Sequence, residues 1–217
     1  MVSADIVIER ARQQGRTVLT EIEAKEIVKS AGIPVTESEL ATSSEEASQI
    51  ARKIGYPVVL KVVASAISHK SDVGGVRLDL SSDEQVETAF EELLATARKT
   101  APQSDLWGVS VQRMALPGTE VILGMSTDPQ FGPVLMFGVG GVMVEVLKDV
   151  SFRLVPLGRM DAYDMIREIK AFPLLEGHRG REAADLTTLE DLLLRLSELV
   201  ERRPDILEID LKYFIVI

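Results

Sequence analysis

The run Tyr56-Pro57-Val58-Val59-Leu60-Lys61-Val62-Val63, with Ser68-His69-Lys70-Ser71-Asp72-Val73-Gly74-Gly75-Val76 just beyond it, decides how this chain is read. The first stretch is β-branched and nearly continuous in apolar residues, the pattern of a buried strand, and a single lysine interrupts it. A cation on a buried strand needs an anion close by, and a phosphate group would serve. The second stretch sets an imidazole five residues ahead of a Gly-Gly pair, where the backbone can turn and approach a ligand closely. Together, strand lysine, glycine loop and loop histidine point to a nucleotide site with a covalent phosphate relay through His69. An ordinary polar loop is the alternative that spacing alone leaves open.

Composition narrows the setting. A chain of 217 residues with 46% hydrophobic content can form one large domain or two small lobes. Its formal charge of −10 argues against non-specific nucleic-acid binding, which depends on clustered Lys and Arg. It does not argue against ATP, which needs only a few well-placed cations. With no cysteine, disulfides, thiolate metal sites and cysteine nucleophiles are excluded. Two histidines, His69 and His178, cannot build a multi-histidine zinc site, so any metal would be a hard cation held by carboxylates and phosphates. The stretch Met1 to Gly15 carries charges throughout and has no apolar signal-peptide core. The longest uncharged run, Pro129 to Val144, falls short of the roughly 18 residues expected of a spanning helix. A soluble cytoplasmic protein, not bound to membrane, is expected.

Helical periodicity is clear in four places. Ala24, Ile27, Val28 and Ala31 form one stripe, ended by Gly32. Ala47, Ile50, Ala51 and Ile54 form a second, opened by Ser43-x-x-Glu46 and closed by Gly55. Ser82-x-x-Gln85 opens a third, with Val86, Ala89, Phe90, Leu93, Leu94 and Ala97 facing the core. Leu189, Leu192, Leu193, Leu196, Leu199 and Val200 make the last. Strands are expected at Pro57–Val63, at the alternating Val76, Leu78 and Leu80, and at Val109–Met114, Glu120–Met125, Val134–Phe137, Val142–Val146 and Phe152–Val155. The later ones are separated by Gly, Pro or Asp, which suggests hairpins in one antiparallel sheet. Two α+β lobes with a ligand cleft between them follow.

Three further stretches carry candidate chemistry. Val111-Gln112-Arg113-Met114 leads into Pro117-Gly118-Thr119-Glu120. There the strand backbone at Gln112 and Met114 would read an adenine edge, and Glu120 would face a ribose or the metal–phosphate region. Phe137-Gly138-Val139-Gly140-Gly141 allows close backbone approach, although no Gly-Lys-Ser/Thr follows as in a Walker loop. Glu208-Ile209-Asp210 sets two carboxylates at i and i+2, on one face of a strand that is expected to end there. For each of the three, a plain turn or a solvated face is the alternative.

As a set, these residues resemble the ATP-grasp (β) subunit of nucleoside-diphosphate-forming acyl-CoA synthetases, typified by ADP-forming acetate–CoA ligase. The resemblance runs from Leu19-Thr20-Glu21-Ile22-Glu23-Ala24-Lys25 and Gly32-Ile33-Pro34-Val35 through the His69 string and Gly177-His178-Arg179-Gly180 to Glu208-Ile209-Asp210. It implies an α+β ATP-grasp fold with nucleotide between two lobes, here placed at residues 20–110 and at 1–19 plus 111–217. It also implies ATP/ADP and Mg²⁺ as cofactors and a CoA-binding α subunit as partner. His69 matches the histidine that carries the phosphoryl group, Asp210 the aspartate that supports it, and Lys61 the strand lysine that holds nucleotide phosphate. Gly74 and Gly75 supply backbone amides, and Glu208 is the candidate metal ligand.

One departure stands out. The family pattern runs Glu-x-Asp-x-Asn-Pro, whereas Lys212 and Tyr213 occupy the last two places here. The expected function is the nucleotide-binding half of an ADP-forming acyl-CoA synthetase, inactive without its partner. The alternative is a regulatory or interaction module that kept the fold and lost Mg²⁺-dependent chemistry. A succinyl-CoA ligase β subunit is a further rival, disfavoured by the histidine in the Gly-Gly loop.

Overall fold

A computed structural model of the chain describes residues 4–64, 73–102, 105–141, 147–177 and 182–216. His69, His178 and the expected strand at 142–146 lie outside them. Two compact units divide the chain, Met1–Ser30 with Pro34–Ala115 and Ala31–Ile33 with Leu116–Ile217. This differs from the division expected from sequence. Residues 1–19 fall with the first unit, because helix α1 (Ala4–Gln13) packs on α2 (Glu21–Ser30) and buries Val7 and Ala11. A boundary at residue 110 would cut through a strand, β4 (Leu106–Arg113).

The first unit is a four-stranded antiparallel sheet with two helices on one face. Its strands are β1 (Ser38–Ala41), β2 (Val58–Ala64), β3 (Val76–Leu80) and β4, in the order β1-β4-β2-β3. Val109–Met114 was expected to open the hairpin sheet, yet β4 pairs instead with β1 and β2. Alternation along the strands sends Val58, Leu60, Val109 and Val111 to one face. There they meet Ala47, Ile50 and Ala51 of α3 (Ser44–Ile54) and Val86, Ala89, Phe90 and Leu93 of α4 (Asp83–Thr100). Both helices start as their sequences indicate. The Ser43 hydroxyl accepts from the Glu46 amide at 3.2 Å, and the Ser82 hydroxyl accepts from the Gln85 amide at 3.3 Å. The return arm of each cap reaches one residue further back than in a standard capping box. Glu46 accepts from the Thr42 amide and Gln85 from the Ser81 amide.

β3 breaks its predicted alternation. Val58 pairs with Leu80 but Leu60 with Arg77, so β3 carries an extra residue, and Asp79 adopts φ 56°. Leu80 still packs on the core, while Leu78 points out to solvent.

The second unit is another antiparallel sheet, ordered β7-β6-β5-β8. Its strands are β5 (Thr119–Asp128), β6 (Gly132–Val139), β7 (Val150–Leu154) and β8 (Glu208–Val216). The β5–β6 hairpin is closed by Asp128, whose Oδ1 accepts from the amides of Gln130 and Phe131 at 2.8 and 2.9 Å. Helices α5 (Arg159–Arg167) and α7 (Leu186–Arg202) pack on this sheet, with a short α6 (Phe172–Leu175) between them in sequence. Val121, Leu123, Met125, Leu135 and Phe137 form its buried face, and the predicted leucine stripe of α7 is buried throughout. Among the described residues no helix is long and apolar enough to cross a membrane.

Candidate functional site

On the first sheet, the face away from α3 and α4 is polar where the candidate residues lie. Lys61 of β2 pairs with Ser110 of β4, and Val59 pairs with Gln112, which in turn pairs with Ser38 of β1. Directly paired residues project to the same side, so Ser38, Ser110, Gln112 and Lys61 share one face. Helix α2 contributes two charges to it. Lys61 Nζ lies 2.9 Å from Glu21 Oε1, and the same oxygen lies 3.0 Å from Lys25 Nζ, one helical turn along. Lys25 Nζ also donates to Gln112 Oε1 at 2.9 Å and to Ser38 Oγ at 3.4 Å. The three charged side chains are a quarter or less exposed, so bulk salt screens these contacts less than it would at an open surface.

Local sequence fixes where α2 begins, and so where Glu21 stands. Thr20 and Glu23 form a reciprocal cap: the Glu23 amide donates to Thr20 Oγ1 at 3.2 Å and the Thr20 amide to Glu23 Oε2 at 2.8 Å. Arg16 grips the same carboxylate with both terminal nitrogens, at 2.9 and 2.6 Å. Burial pushes the Glu23 carboxyl up, but the bonds from Arg16 and Thr20 outweigh it and hold it below the ordinary glutamate value.

Lys61 thus sits where sequence placed it, on a buried strand, but it is not an unpaired cation, because Glu21 supplies the anion. Gln112 is 9% exposed, with β1 and β2 on its two sides and its side-chain oxygen taken up by Lys25. The Met114 amide donates to the Pro57 carbonyl at 3.0 Å. Gly74 adopts φ 68° in the turn that leads into β3, and the Gly75 carbonyl accepts from the Val62 amide at 2.9 Å, which ties the glycine pair to β2.

In the second unit, register gathers the other candidates. Glu120, Gly124 and Ser126 lie on one face of β5, and Gly124 and Ser126 pair with Asp210 and Glu208 of β8. All three carboxylates therefore lie on the face opposite the buried one. Their strand neighbours on β5 and β6 include Gly124 and Gly138, which carry no side chain. Gly140 follows on, with its amide donating to the Glu120 carbonyl at 2.7 Å. A β-carbon on Gly140 would lie 3.1 Å from the Glu120 β-carbon, so that strand end is closely fitted. The Glu208–Asp210 pair stands at the start of β8 and not at the end of a strand, since the chain continues extended to Val216.

Among the described residues no three His, Asp or Glu side chains cluster closely enough to cage a metal on their own. The sequence reading missed Glu21 and Lys25. Their i, i+4 spacing announces their mutual pair, but nothing local links either to Lys61, which lies forty positions beyond Glu21.

Comparison with known proteins gives a consistent set of relatives. A model of the ATP-grasp domain matches residues 10–216. The β subunit of ADP-forming acetate–CoA ligase I from Pyrococcus furiosus is 49% identical over 205 residues, which cover 94% of this chain and 88% of that subunit. Among solved structures, the dinucleotide-forming acetyl-coenzyme A synthetase 1 of Ca. Korarchaeum cryptofilum, in complex with coenzyme A, Ca-AMPCP and HgCl+, matches with a TM-score of 0.96. It is 45% identical, and the match covers 98% of this chain and 93% of that one. Another structure of that synthetase holds coenzyme A and Mg-AMPPCP, with its phosphohistidine segment pointing towards the nucleotide binding site. It matches with a TM-score of 0.85 at 43% identity over 98% of this chain and 92% of that one.

Proposed function

Since this chain belongs to the ATP-grasp family, among the β subunits and domains of ADP-forming acyl-CoA ligases, we propose that it is the nucleotide-binding subunit of such a ligase. The observation that carries this is the near full-length match to the Pyrococcus furiosus β subunit. It coincides with His69 standing in the string that the resemblance had singled out.

In this reading His69 carries a phosphoryl group. Its N–P bond breaks as a terminal oxygen of ADP forms the new P–O bond, and the imidazole is returned. Such transfers depend on positioning and charge balance more than on covalent chemistry by the protein. Lys61 holds a nucleotide phosphate, and amides at Gly74 and Gly75 approach its oxygens. The strand backbone near Met114 meets the adenine. Asp210 steadies one imidazole nitrogen while the other reacts. Glu208 would hold Mg²⁺, which would neutralise developing phosphate charge, and Glu120 would face a ribose or the metal–phosphate region. The phosphoryl group originates on a CoA-binding α subunit, and the complex works in the cytoplasm, where ADP and acyl-CoA are found.

The test is reconstitution. The isolated chain should show no synthesis of ATP from acyl-CoA, ADP and phosphate. Co-expression with a CoA-binding α subunit should yield a hetero-oligomer that performs it. Full activity from this chain alone would remove the partner from the proposal. No activity and no ADP binding in the assembled complex would remove the function.

A further inference from the structure

We propose that Glu21 is a positioning residue of the nucleotide site, acting through Lys61. The proposal rests on the reading of Lys61 as the cation that holds a nucleotide phosphate. A lysine ammonium has three donors on a chain of rotatable bonds, so its usefulness to a phosphate depends on where it is held beforehand. Glu21 accepts from it at 2.9 Å, from a helix that belongs to the same compact unit.

Glu21 is itself well held. It lies in the first turn of α2, whose start is fixed by the Thr20–Glu23 cap and by Arg16. Its Oε1 is also 3.0 Å from Lys25, and Lys25 is anchored to Gln112 within the central strand β4. A continuous polar chain therefore runs from the middle of the sheet, through Lys25 and Glu21, to the Lys61 ammonium. Among the described residues Lys61 Nζ donates to Glu21, and because an ammonium has three donors the same group can also meet a phosphate oxygen.

A carboxylate beside a phosphate-binding lysine has another conceivable role, as an anion that the phosphate must displace. The two roles predict opposite signs. A positioning group weakens nucleotide binding when removed, and a competing anion strengthens it. Geometry favours positioning, because Glu21 engages Lys61 through one oxygen and is braced by Lys25 through the same one.

ADP affinity is measured by calorimetry on the full chain for wild type, Glu21→Ala, Glu21→Gln, Lys61→Ala and the Glu21→Ala/Lys61→Ala double variant. Circular dichroism checks that each is folded. Glu21→Ala should weaken binding about three- to tenfold, in the lower part of the range of couplings between residues in contact. Glu21→Gln keeps an acceptor oxygen in the same place and should stay within about twofold of wild type on the same scale. On the Lys61→Ala background, loss of Glu21 should change nothing further. Tighter binding by Glu21→Ala would make it a competing anion and overturn the proposal. Unchanged binding by Glu21→Ala, or an equal loss on the Lys61→Ala background, would reduce it to a structural residue. If wild type binds ADP but Lys61→Ala binds it equally well, the fault lies in the reading of Lys61 and the proposal falls with it. If wild type binds no ADP, alone or with its partner subunit, the functional reading itself fails.

Discussion

Gly108 of β4 passes so close to Ala41 of β1 that a β-carbon at position 108 would lie 2.2 Å from the Ala41 carbonyl oxygen. No side chain fits there, and the backbone at φ 139° is in a region that only glycine adopts readily. The neighbouring residues pair β1 to β4, with Ala41 opposite Val109. Gly108→Ala should therefore cost about 2–4 kcal/mol by forcing the edge strand away or the backbone into strain. Urea unfolding should show a lower midpoint with an unchanged slope. A midpoint equal to wild type would mean that β1 is not held where it is described.

Lys61 supplies the second prediction. Removing its ammonium deletes a charge-assisted contact to phosphate, and such contacts are worth about 1.5–3 kcal/mol. Lys61→Ala should lower ADP affinity roughly tenfold or more on that basis. It should also flatten the dependence of affinity on salt, since one ionic contact is gone. Calorimetry at two ionic strengths measures both. Equal affinity and equal salt dependence in a folded variant would take Lys61 out of the site.

Much of the fold was legible because its causes are local. Ser43 and Ser82 cap the helices their sequences announce, and the stripes Ala47–Ile50–Ala51 and Leu189–Leu192–Leu193–Leu196 are buried. What escaped depends on distant partners. β1 is Ser-Glu-Leu-Ala, with no β-branched or aromatic residue, and it is extended because β4 pairs with it. Gly and Pro between β4 and β5 read as a hairpin turn, yet the two strands lie in different sheets. Lys212 and Tyr213 depart from the family pattern, and the β-prone run Tyr213-Phe214-Ile215-Val216 that follows Lys212 carries β8 along β5, beyond the strand end expected at Asp210. At the site, Lys61 could be found from a cation in a buried pattern, but its counter-charge came from a helix forty residues earlier.

Tyr56 offers a test by pH. Its hydroxyl donates to Asp83 Oδ1 at 2.5 Å, and burial first, then this carboxylate, pushes the phenol up to about 12. Arg52 holds the other Asp83 oxygen and keeps that acid ionised. A raised folded pKa favours the protonated form, so the contribution to stability is complete below the unfolded value, about 10, and fades as pH rises toward 12. Ultraviolet titration should show a tyrosinate component near pH 12 that is missing in Tyr56→Phe. The same variant should lose stability at neutral pH and show a shallower decline over the alkaline range. A tyrosine titration identical in both proteins would contradict the part-buried hydrogen bond.

The chemistry turns on His69 and Asp210. If His69 carries phosphate, incubation with labelled ATP, Mg²⁺ and the partner subunit should give an acid-labile, base-stable phosphoprotein, because a phosphoramidate N–P bond hydrolyses when its nitrogen is protonated. His69→Asn should abolish the label on this chain. Asp210 lies in β8 opposite Gly124, on the carboxylate-bearing face of its sheet, and Asp210→Ala should lower the yield or lifetime of the label without unfolding the protein. A fall of about tenfold is the size expected from losing one charged hydrogen-bond partner of an imidazole. Glu208, two residues earlier on the same face, gives an internal contrast. Its loss should raise the Mg²⁺ concentration needed for labelling, whereas loss of Asp210 should not. Label that survives His69→Asn and moves to His178 would reassign the phosphoryl carrier. Absence of label under every condition, with ADP still bound, would identify a module that keeps the nucleotide site without the transfer, and attention would turn to Lys212 and Tyr213.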